Sequence, residues 1–298
     1  MPGRTPLSGR RPRPAKRRSV APRPRLPAIR ELTGQTSTPL DTVIFLKNRG
    51  IFHDSKFCHR GHKMTLYCSP LRPPRYRCGI CRKESSALVG TFFQGARVPL
   101  EKLITYMYFW SSDVSQARAR EYSGISSHVT TARWRRRFRD VCAAHNSLQL
   151  PEAGTWQVDE CQMGDRKVLG GVNESNGKVW FRIIPNRASV TVLPVMADFI
   201  DRDSIISTDG LSGYKPISRY RGLQWTHRVC VHSKGQYKDF ITGACTNSIE
   251  ATFRVLRYFY DGVDLQGHLA EQCFKKNTRP KDAFSAILDA IAALHPPR

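Results

Sequence analysis

Two aspartates lie in strand-like segments, where a carboxylate is unusual. Asp209 directly follows the apolar run Ser204–Thr208, and Asp159 lies within TWQVDECQM. A carboxylate in a half-buried strand costs free energy unless it has a partner. Simpler interpretations are a turn at Asp209, which Gly210 follows, and a strand-end hydrogen bond at Asp159. Alternation in the second segment predicts Gln157, Asp159 and Cys161 on one face and Trp156, Val158 and Glu160 on the other.

A third acid, Glu250, lies in the predicted helix TNSIEATFRVLRYFY. Helical periodicity gives this segment a buried stripe of Ile249, Phe253, Leu256 and Tyr260, and a second stripe of Asn247, Glu250, Arg254 and Arg257. Asn247 and Glu250 also fit a capping box, which is a structural role that needs no catalysis.

Three carboxylates that converge in one domain have a well-defined chemistry. They can hold two Mg²⁺ or Mn²⁺ ions about 3.5–4 Å apart, one of which activates a nucleophile while the other stabilises the leaving oxygen. Mg²⁺ binds a few carboxylates together with water and phosphate oxygens, so that a complete protein cage is unnecessary. Asp159, Asp209 and Glu250 are therefore candidates for metal-dependent chemistry on phosphodiesters.

A second possible metal site lies near the N-terminus. Cys78 and Cys81 form a CxxC knuckle, and Cys58 and His62 are spaced C-x₃-H, with Cys68 nearby. These spacings predict one structural Zn²⁺, with either His62 or Cys68 as the remaining ligand. Nine cysteines, four of them crowded into this segment, favour a reducing compartment over a disulfide framework. The alternative is a basic module whose thiols bind no metal.

The segment after the cysteines is helical and basic. A helix is predicted in VPLEKLITYMYFW, a second in VSQARAREYSG with Ser112 or Asp113 as N-cap, and a longer third one after Ser126 or Ser127. Gly124 separates the second from the third, as in a helix-turn-helix. Five arginines of the third helix are predicted to contact DNA: Arg133, Arg135, Arg136, Arg137 and Arg139. The alternative is a solvated basic face on a linker helix.

The overall charge also indicates nucleic acid. The chain of 298 residues has a formal net charge of +24, which implies an anionic partner. Residues 1–38 are rich in Arg and Pro and are predicted to be a disordered tail. Its Lys16–Arg18 segment resembles a nuclear localisation signal, although a general polyanion-binding arm fits equally well. A membrane surface is the less favoured anionic partner. No apolar run reaches the roughly 18 residues of a membrane-spanning helix, and no membrane partner is expected.

The sequence beyond residue 150 predicts a mixed α/β domain. Five strand-like runs are TWQVDECQM, KVLGGVNE, KVWFRIIP, SIISTDG and LQWTHRVCVH, and the interleaved helical runs are ASVTVLPVMADFI, TNSIEATFRVLRYFY and KDAFSAILDAIAAL. We therefore expect four regions: the tail at 1–38, a helix with the zinc ribbon at 39–97, the helical module at 98–150 and the α/β domain at 151–298.

Several phrases of the chain resemble the Merlin superfamily of DDE transposases and the related bacterial insertion-sequence transposases. These phrases are RYRCGICRKESSALVGTFFQGARVPL, QVDE, STDGLSGY, VHSKGQY and TNSIEATFRVLR. They follow the order and spacing of that family, and the resemblance extends from about Cys58 to Leu294. It departs from the family at Gly61, where relatives often have Cys and where His62 can substitute, and at Arg257, where the family has Lys.

The resemblance implies an RNase H-like mixed sheet with flanking helices, with Asp159, Asp209 and Glu250 as the metal-binding triad. Asn247 is a weaker candidate for the third ligand, because some bacterial relatives have Asn there. His232, in the VHS phrase, is implied to touch DNA or the leaving group, or to be structural, and Arg257 is implied to contact phosphate. The family implies a DNA transposase that binds terminal inverted repeats as a dimer or higher oligomer, and the Lys16–Arg18 segment favours a nuclear location. The other hypotheses are a domesticated, non-catalytic DNA-binding protein and an RNase H-like nuclease or resolvase.

Overall fold

A computed structural model describes residues 28–70, 72–230, 243, 245–278 and 282–298. The basic segment Lys16–Arg18 and His232 lie outside these residues, so that both predictions remain untested. None of the helices in the described part of the chain has the length and apolar character needed to cross a membrane.

The N-terminal region consists of two helices and a small antiparallel sheet. Helix α1 covers Ile29–Gln35 and α2 covers Pro39–Lys47, and the sheet has the order β1 (Thr65–Ser69), β2 (Arg72–Arg77), β3 (Glu84–Ser86). Helix α2 begins as its sequence dictates: Thr38 Oγ1 accepts from the Asp41 N–H at 3.1 Å, and Pro39 occupies the first turn. The predicted limit of the tail at residue 38 is wrong, because α1 begins at Ile29 and buries Leu32 in the core.

Three helices follow: α3 (Leu100–Ser111), α4 (Gln116–Tyr122) and α5 (His128–Ser147). Gly124 adopts a φ of +65° between α4 and α5, which separates them as predicted. Ser127 caps α5, also as predicted, but the cap of α4 is Ser115, not Ser112 or Asp113. Asp113 instead adopts a φ of +58° and terminates the turn after α3.

The second sheet has five strands: β4 (Thr155–Met163), β5 (Arg166–Asn173), β6 (Val179–Ile184), β7 (Ile205–Thr208) and β8 (Thr226–Val229). Their order is β6-β5-β4-β7-β8. The first three strands in the chain are antiparallel neighbours, whereas β7 is parallel to β4 and β8 is parallel to β7. Helix α6 (Ser189–Ala197) connects β6 to β7. This arrangement confirms the predicted mixed sheet with flanking helices.

The two faces of this sheet carry separate cores. Trp156 and Val158 pack with residues of α6, while Cys161 packs with Phe253 of α7 (Asn247–Tyr258). The alternation predicted for β4 is therefore confirmed.

The last two helices, α8 (Leu265–Asn277) and α9 (Ala283–Leu294), extend the core of the helical module. Phe274 of α8 and Phe284 of α9 belong to the same core cluster as Trp110 of α3 and Phe138 of α5. The predicted boundary between residues 150 and 151 therefore divides the β-rich part from the module, but not the C-terminal helices from it. Helix α8 was not predicted, because its buried face includes the polar residues His268, Glu271 and Lys275.

Candidate active site and metal centre

The register of the sheet places two of the predicted acids side by side. Gln157 of β4 pairs with Ser207 of β7 in a parallel arrangement. Asp159 lies two residues after Gln157, still within β4, and Asp209 lies two residues after Ser207, one residue beyond the end of β7. Because parallel neighbours advance together, Asp159 and Asp209 lie at the same level of the sheet.

Asp209 also makes the turn that was its simpler interpretation. Its Oδ1 accepts from the Leu211 N–H at 3.0 Å, and Gly210 adopts a φ of +83°. A Cβ atom at Gly210 would lie 2.8 Å from Cγ1 of Val229. Glycine is therefore required both by the backbone angle and by the close approach of β8. Asp209 thus both forms the turn and holds its carboxylate at the end of β7.

Glu250 lies in the first turn of α7. Its Oε1 accepts from Thr246 Oγ1 at 3.0 Å, and Thr246 is the N-cap residue. The predicted capping box of Asn247 and Glu250 is not formed, because the helix begins one residue earlier than that box requires. Asn247 is exposed at the first helical position.

The other two acids act electrostatically on Asp159. Burial, together with the nearby charges of Glu160, Asp209 and Glu250, raises the pKa of Asp159 to about 7, against the lowering effect of the Glu160 N–H at 2.8 Å. Two of these neighbouring charges, Asp209 and Glu250, are the other predicted triad members, which places all three acids in one electrostatic site. Such a set of oxygen donors fits a divalent cation, which would relieve the repulsion.

A buried cluster beside the acids was not assigned from the sequence. Glu160 is on the opposite face of β4 from Asp159, where Tyr214 Oη donates to its Oε2 and Arg187 Nε lies 2.8 Å from its Oε1. Burial raises the pKa of Glu160, although Tyr214 and Arg187 lower it in part. Glu160 and Tyr214 lie in the motifs QVDE and STDGLSGY and could have been noticed there. Arg187 lies in an irregular segment without a motif, so that no sequence signal pointed to it.

The N-terminal cysteine cluster forms a compact site. The atoms Cys58 Sγ, His62 Nδ1, Cys78 Sγ and Cys81 Sγ all lie within 4.8 Å of one another, the closest pair being His62 Nδ1 and Cys81 Sγ at 3.2 Å. Among the described residues no other cysteine, histidine or acid forms so close a group, the triad included. The donor set fits a closed tetrahedral Zn²⁺ site. His62 is thus the fourth donor, and Cys68 is outside the group.

The five arginines of α5 are divided in their positions. Arg135 is bonded to Asp261, and Arg139 lies 2.9 Å from Glu271 with its side chain 5% exposed. Arg137 packs over Phe92 and Trp134 and donates to the Phe92 carbonyl at 2.6 Å. The prediction that all five contact DNA is therefore corrected for these three, which are engaged within the protein. Arg133 and Arg136 are exposed, and for them the prediction stands untested.

Arg257 lies near the acids. It is exposed on α7, and its positive charge lowers the pKa of the Cys161 thiol, which burial raises; Cys161 lies two residues beyond Asp159 on the same strand. Arg257 is thus positioned on the face of β4 that carries Asp159.

Comparison with known proteins was made by sequence and by structure. The chain matches the family model of the ISXO2-like transposase domain over residues 157–266, and no curated protein matches it. Among solved structures, the catalytic core domain of BIV integrase aligns with 15% identity and a TM-score of 0.33, covering 43% of this chain and 86% of the other. The family match begins at Gln157 and includes Asp159, Asp209 and Glu250. Over residues 157–266, the resemblance to insertion-sequence transposases is confirmed, since this segment matches the model of the ISXO2-like transposase domain.

Proposed function

We propose that the protein is a DDE-type DNA transposase that cleaves the ends of a DNA element and joins the 3′-hydroxyl to target DNA. The observation that carries this proposal is that Asp159 and Asp209 lie side by side on the adjacent strands β4 and β7. Glu250 of α7 is close enough for its charge to raise the pKa of Asp159. The match to a transposase domain over these three acids supports it.

The three carboxylates would hold Mg²⁺ or Mn²⁺, two ions per site, which would activate the attacking oxygen and stabilise the leaving one. Asp159 is held by the β4 ladder, Asp209 by its own turn and Glu250 by Thr246. Each residue thus has its orientation fixed before the metal binds, which limits the reorganisation needed at phosphorus.

DNA recognition is assigned to the zinc ribbon and to the exposed face of α5. Arg133 and Arg136 would contact phosphates of the terminal inverted repeats, and Arg257 would contact the strand at the site. We expect Arg133→Ala and Arg136→Ala each to reduce the salt dependence of binding by about one phosphate contact. Pairing of two element ends calls for a dimer or higher oligomer on DNA. The basic Lys16–Arg18 segment supports nuclear localisation.

The test is Mg²⁺- or Mn²⁺-dependent cleavage of a labelled duplex that carries the ends flanking the coding sequence. Asp159→Asn, Asp209→Asn and Glu250→Gln should bind this duplex and fail to cut it. Asp165→Asn, at an exposed turn between β4 and β5, is the matched control and should cut normally. If the wild-type protein binds but cuts in neither metal, the non-catalytic DNA-binding hypothesis replaces the proposal. If Asn247→Ala abolishes cutting while Glu250→Gln does not, the third ligand is Asn247.

A further inference from the structure

Helix α7 carries Glu250, yet its N-cap side chain does not cap its first turn. The N-cap residue Thr246 directs its hydroxyl to the Glu250 carboxylate and makes no capping bond to a backbone N–H. The first N–H groups of a helix have no partner within the helix, and leaving them unpaired in a buried place costs free energy.

Two of these N–H groups are bound by a residue of the sheet, while the Asn247 N–H donates to Cys245 Sγ at 3.4 Å. Gln157 Oε1 accepts from the Ser248 N–H at 2.8 Å and from the Ile249 N–H at 3.2 Å. The Gln157 side chain is buried, since the residue is 3% exposed. Its amide group therefore caps α7 from strand β4.

The orientation of this amide is fixed from its other side. Gln157 Nε2 donates to Glu174 Oε1 at 2.8 Å. Because a carboxylate can only accept, the amide nitrogen must face Glu174 and the oxygen must face the helix. Glu174 is anchored in turn by its own N–H, which donates to the Thr155 carbonyl at 2.8 Å.

We propose that Gln157 is a positioning residue that sets the distance between Asp159 and Glu250. Gln157 precedes Asp159 by two residues on the same face of β4, and the two N–H groups it binds belong to the two residues just before Glu250. One side chain thus fixes the helix that carries the third acid against the strand that carries the first. This inference rests on the proposed function for its catalytic consequence, but its structural part can be measured without cleavage.

The first test replaces the amide by an apolar chain of similar size, Gln157→Met. The matched control is Gln162→Met, because Gln162 lies on the same strand, is exposed and donates only to the Gly164 carbonyl among its bonds in the described structure. Hydrogen exchange measured by mass spectrometry should be about tenfold or more faster in the first turn of α7 in Gln157→Met, and unchanged in α9. Mn²⁺ affinity should fall several-fold, while DNA affinity and zinc content should match those of the control.

The second test exchanges the two partners. Gln157→Glu alone places a carboxylate against Glu174, so that hydrogen exchange in the first turn of α7 should become faster and Mn²⁺ affinity should fall. The double variant Gln157→Glu with Glu174→Gln restores one donor and one acceptor in the reverse order, with the negative charge now at the helix N-terminus, where it is favourable. It should recover slow exchange in α7, Mn²⁺ affinity and cleavage. If Gln157→Glu only destabilised the fold in general, the second substitution would not reverse its effects.

The outcomes separate the two proposals. If wild type does not cleave, but Gln157→Met speeds exchange in α7 and weakens Mn²⁺ binding, the proposed function fails and the positioning role stands. If wild type cleaves and Gln157→Met leaves α7 exchange and Mn²⁺ affinity at control values, the positioning role is overturned. Faster exchange throughout the protein, or failure of the double variant to recover, would also overturn it.

Discussion

At the scale of single residues, Asp159 combines burial with three neighbouring negative charges. These raise the pKa of its carboxyl group from 3.8 to about 7. Between about pH 4 and pH 7 the folded protein thus holds a proton that the unfolded chain has released. The contribution of Asp159 to the free energy of unfolding must therefore fall as pH rises through this range.

We expect Asp159→Asn to remove this dependence. Without added Mg²⁺ or Mn²⁺, the variant should gain stability relative to wild type as pH rises from 4 to 8, by about 4 kcal/mol at most. Urea unfolding at several pH values measures the difference, and Asp165→Asn controls for the loss of one charge. A constant difference between Asp159→Asn and wild type across this range would contradict the raised pKa. Added Mg²⁺ at pH 7 should stabilise wild type and not the variant.

Tyr214 offers a second prediction for a single residue. Its buried hydroxyl donates to Glu160, whose carboxylate is 2% exposed and is otherwise held by Arg187. Tyr214→Phe should cost about 1–3 kcal/mol, because a buried carboxylate loses a donor. Tyr220→Phe is the control, since the buried Tyr220 hydroxyl has no hydrogen-bond partner among the described residues. It should change the free energy of unfolding by less than about 0.5 kcal/mol. Equal losses in the two variants would argue against a role for the Glu160 bond.

At the scale of elements, Gly170 controls how closely α7 approaches the sheet. It pairs with Asp159 across β4 and β5, and a Cβ there would lie 2.8 Å from Phe181 Cδ1 and 3.1 Å from Phe253 Cε1 of α7. Gly170→Ala must therefore shift Phe181, Phe253 or both, and a shift of Phe253 moves the helix that carries Glu250. We expect the free energy of unfolding to fall by about 1–3 kcal/mol and Mn²⁺ binding to weaken.

The neighbouring glycine provides the comparison. A Cβ at Gly171 would clash with Trp180 Nε1, on the face of the sheet that packs against α6. Gly171→Ala should thus destabilise the fold to a similar extent, measured by urea unfolding, but leave the Mn²⁺ affinity of the folded protein unchanged. Weaker Mn²⁺ binding in both variants would show that the effect of Gly170 is not specific to α7.

The zinc ligands can be tested in the same way. His62 Nδ1 lies 3.2 Å from Cys81 Sγ, whereas Cys68 is outside the four-residue group. His62→Ala should lower the zinc content of the purified protein, and Cys68→Ser should retain one equivalent by elemental analysis. Loss of zinc in Cys68→Ser with retention in His62→Ala would reverse this assignment.

The elements near the site were largely predictable from the sequence, and their long-range partners were not. All five strands of the large sheet have local signals, since apolar runs alternate with turns. The faces of β4 followed from alternation alone. The partners of Arg135 and Arg139 could not be predicted, because Glu271 lies more than 130 residues away on a helix whose buried face is polar. Gln157 has no local signal for its role, because its partners on α7 are 91 and 92 residues away.

At the scale of the whole molecule, a buried ionic cluster joins the helical module to the C-terminal helices. Glu271 of α8 lies 2.9 Å from Arg139 of α5 and 2.9 Å from Lys275, and Lys275 lies 2.8 Å from Asp113 at the end of α3. Burial alone would raise the pKa of Glu271, but Lys275, Arg135 and Arg139 lower it to about 2. The predicted DNA-binding helix α5 is thereby attached to helix α8.

Glu271→Gln tests this attachment. It removes the buried counter-charge that Arg139 and Lys275 share and leaves them only the partly exposed Asp264 and Asp113, so that we expect the free energy of unfolding to fall by about 3–5 kcal/mol at pH 7. The folded pKa of Glu271 is below its unfolded value, so that its contribution is present above about pH 4.5 and is lost as pH falls toward 2. The difference between wild type and Glu271→Gln should therefore shrink as pH falls below 4.5, whereas Glu121→Gln, at an exposed position of α4, should stay close to wild type. Urea unfolding between pH 3 and pH 7 measures both variants. A loss below about 1 kcal/mol at pH 7 would mean that the cluster does not hold α5 and α8 together, and that the core around Phe138 and Phe274 does so instead.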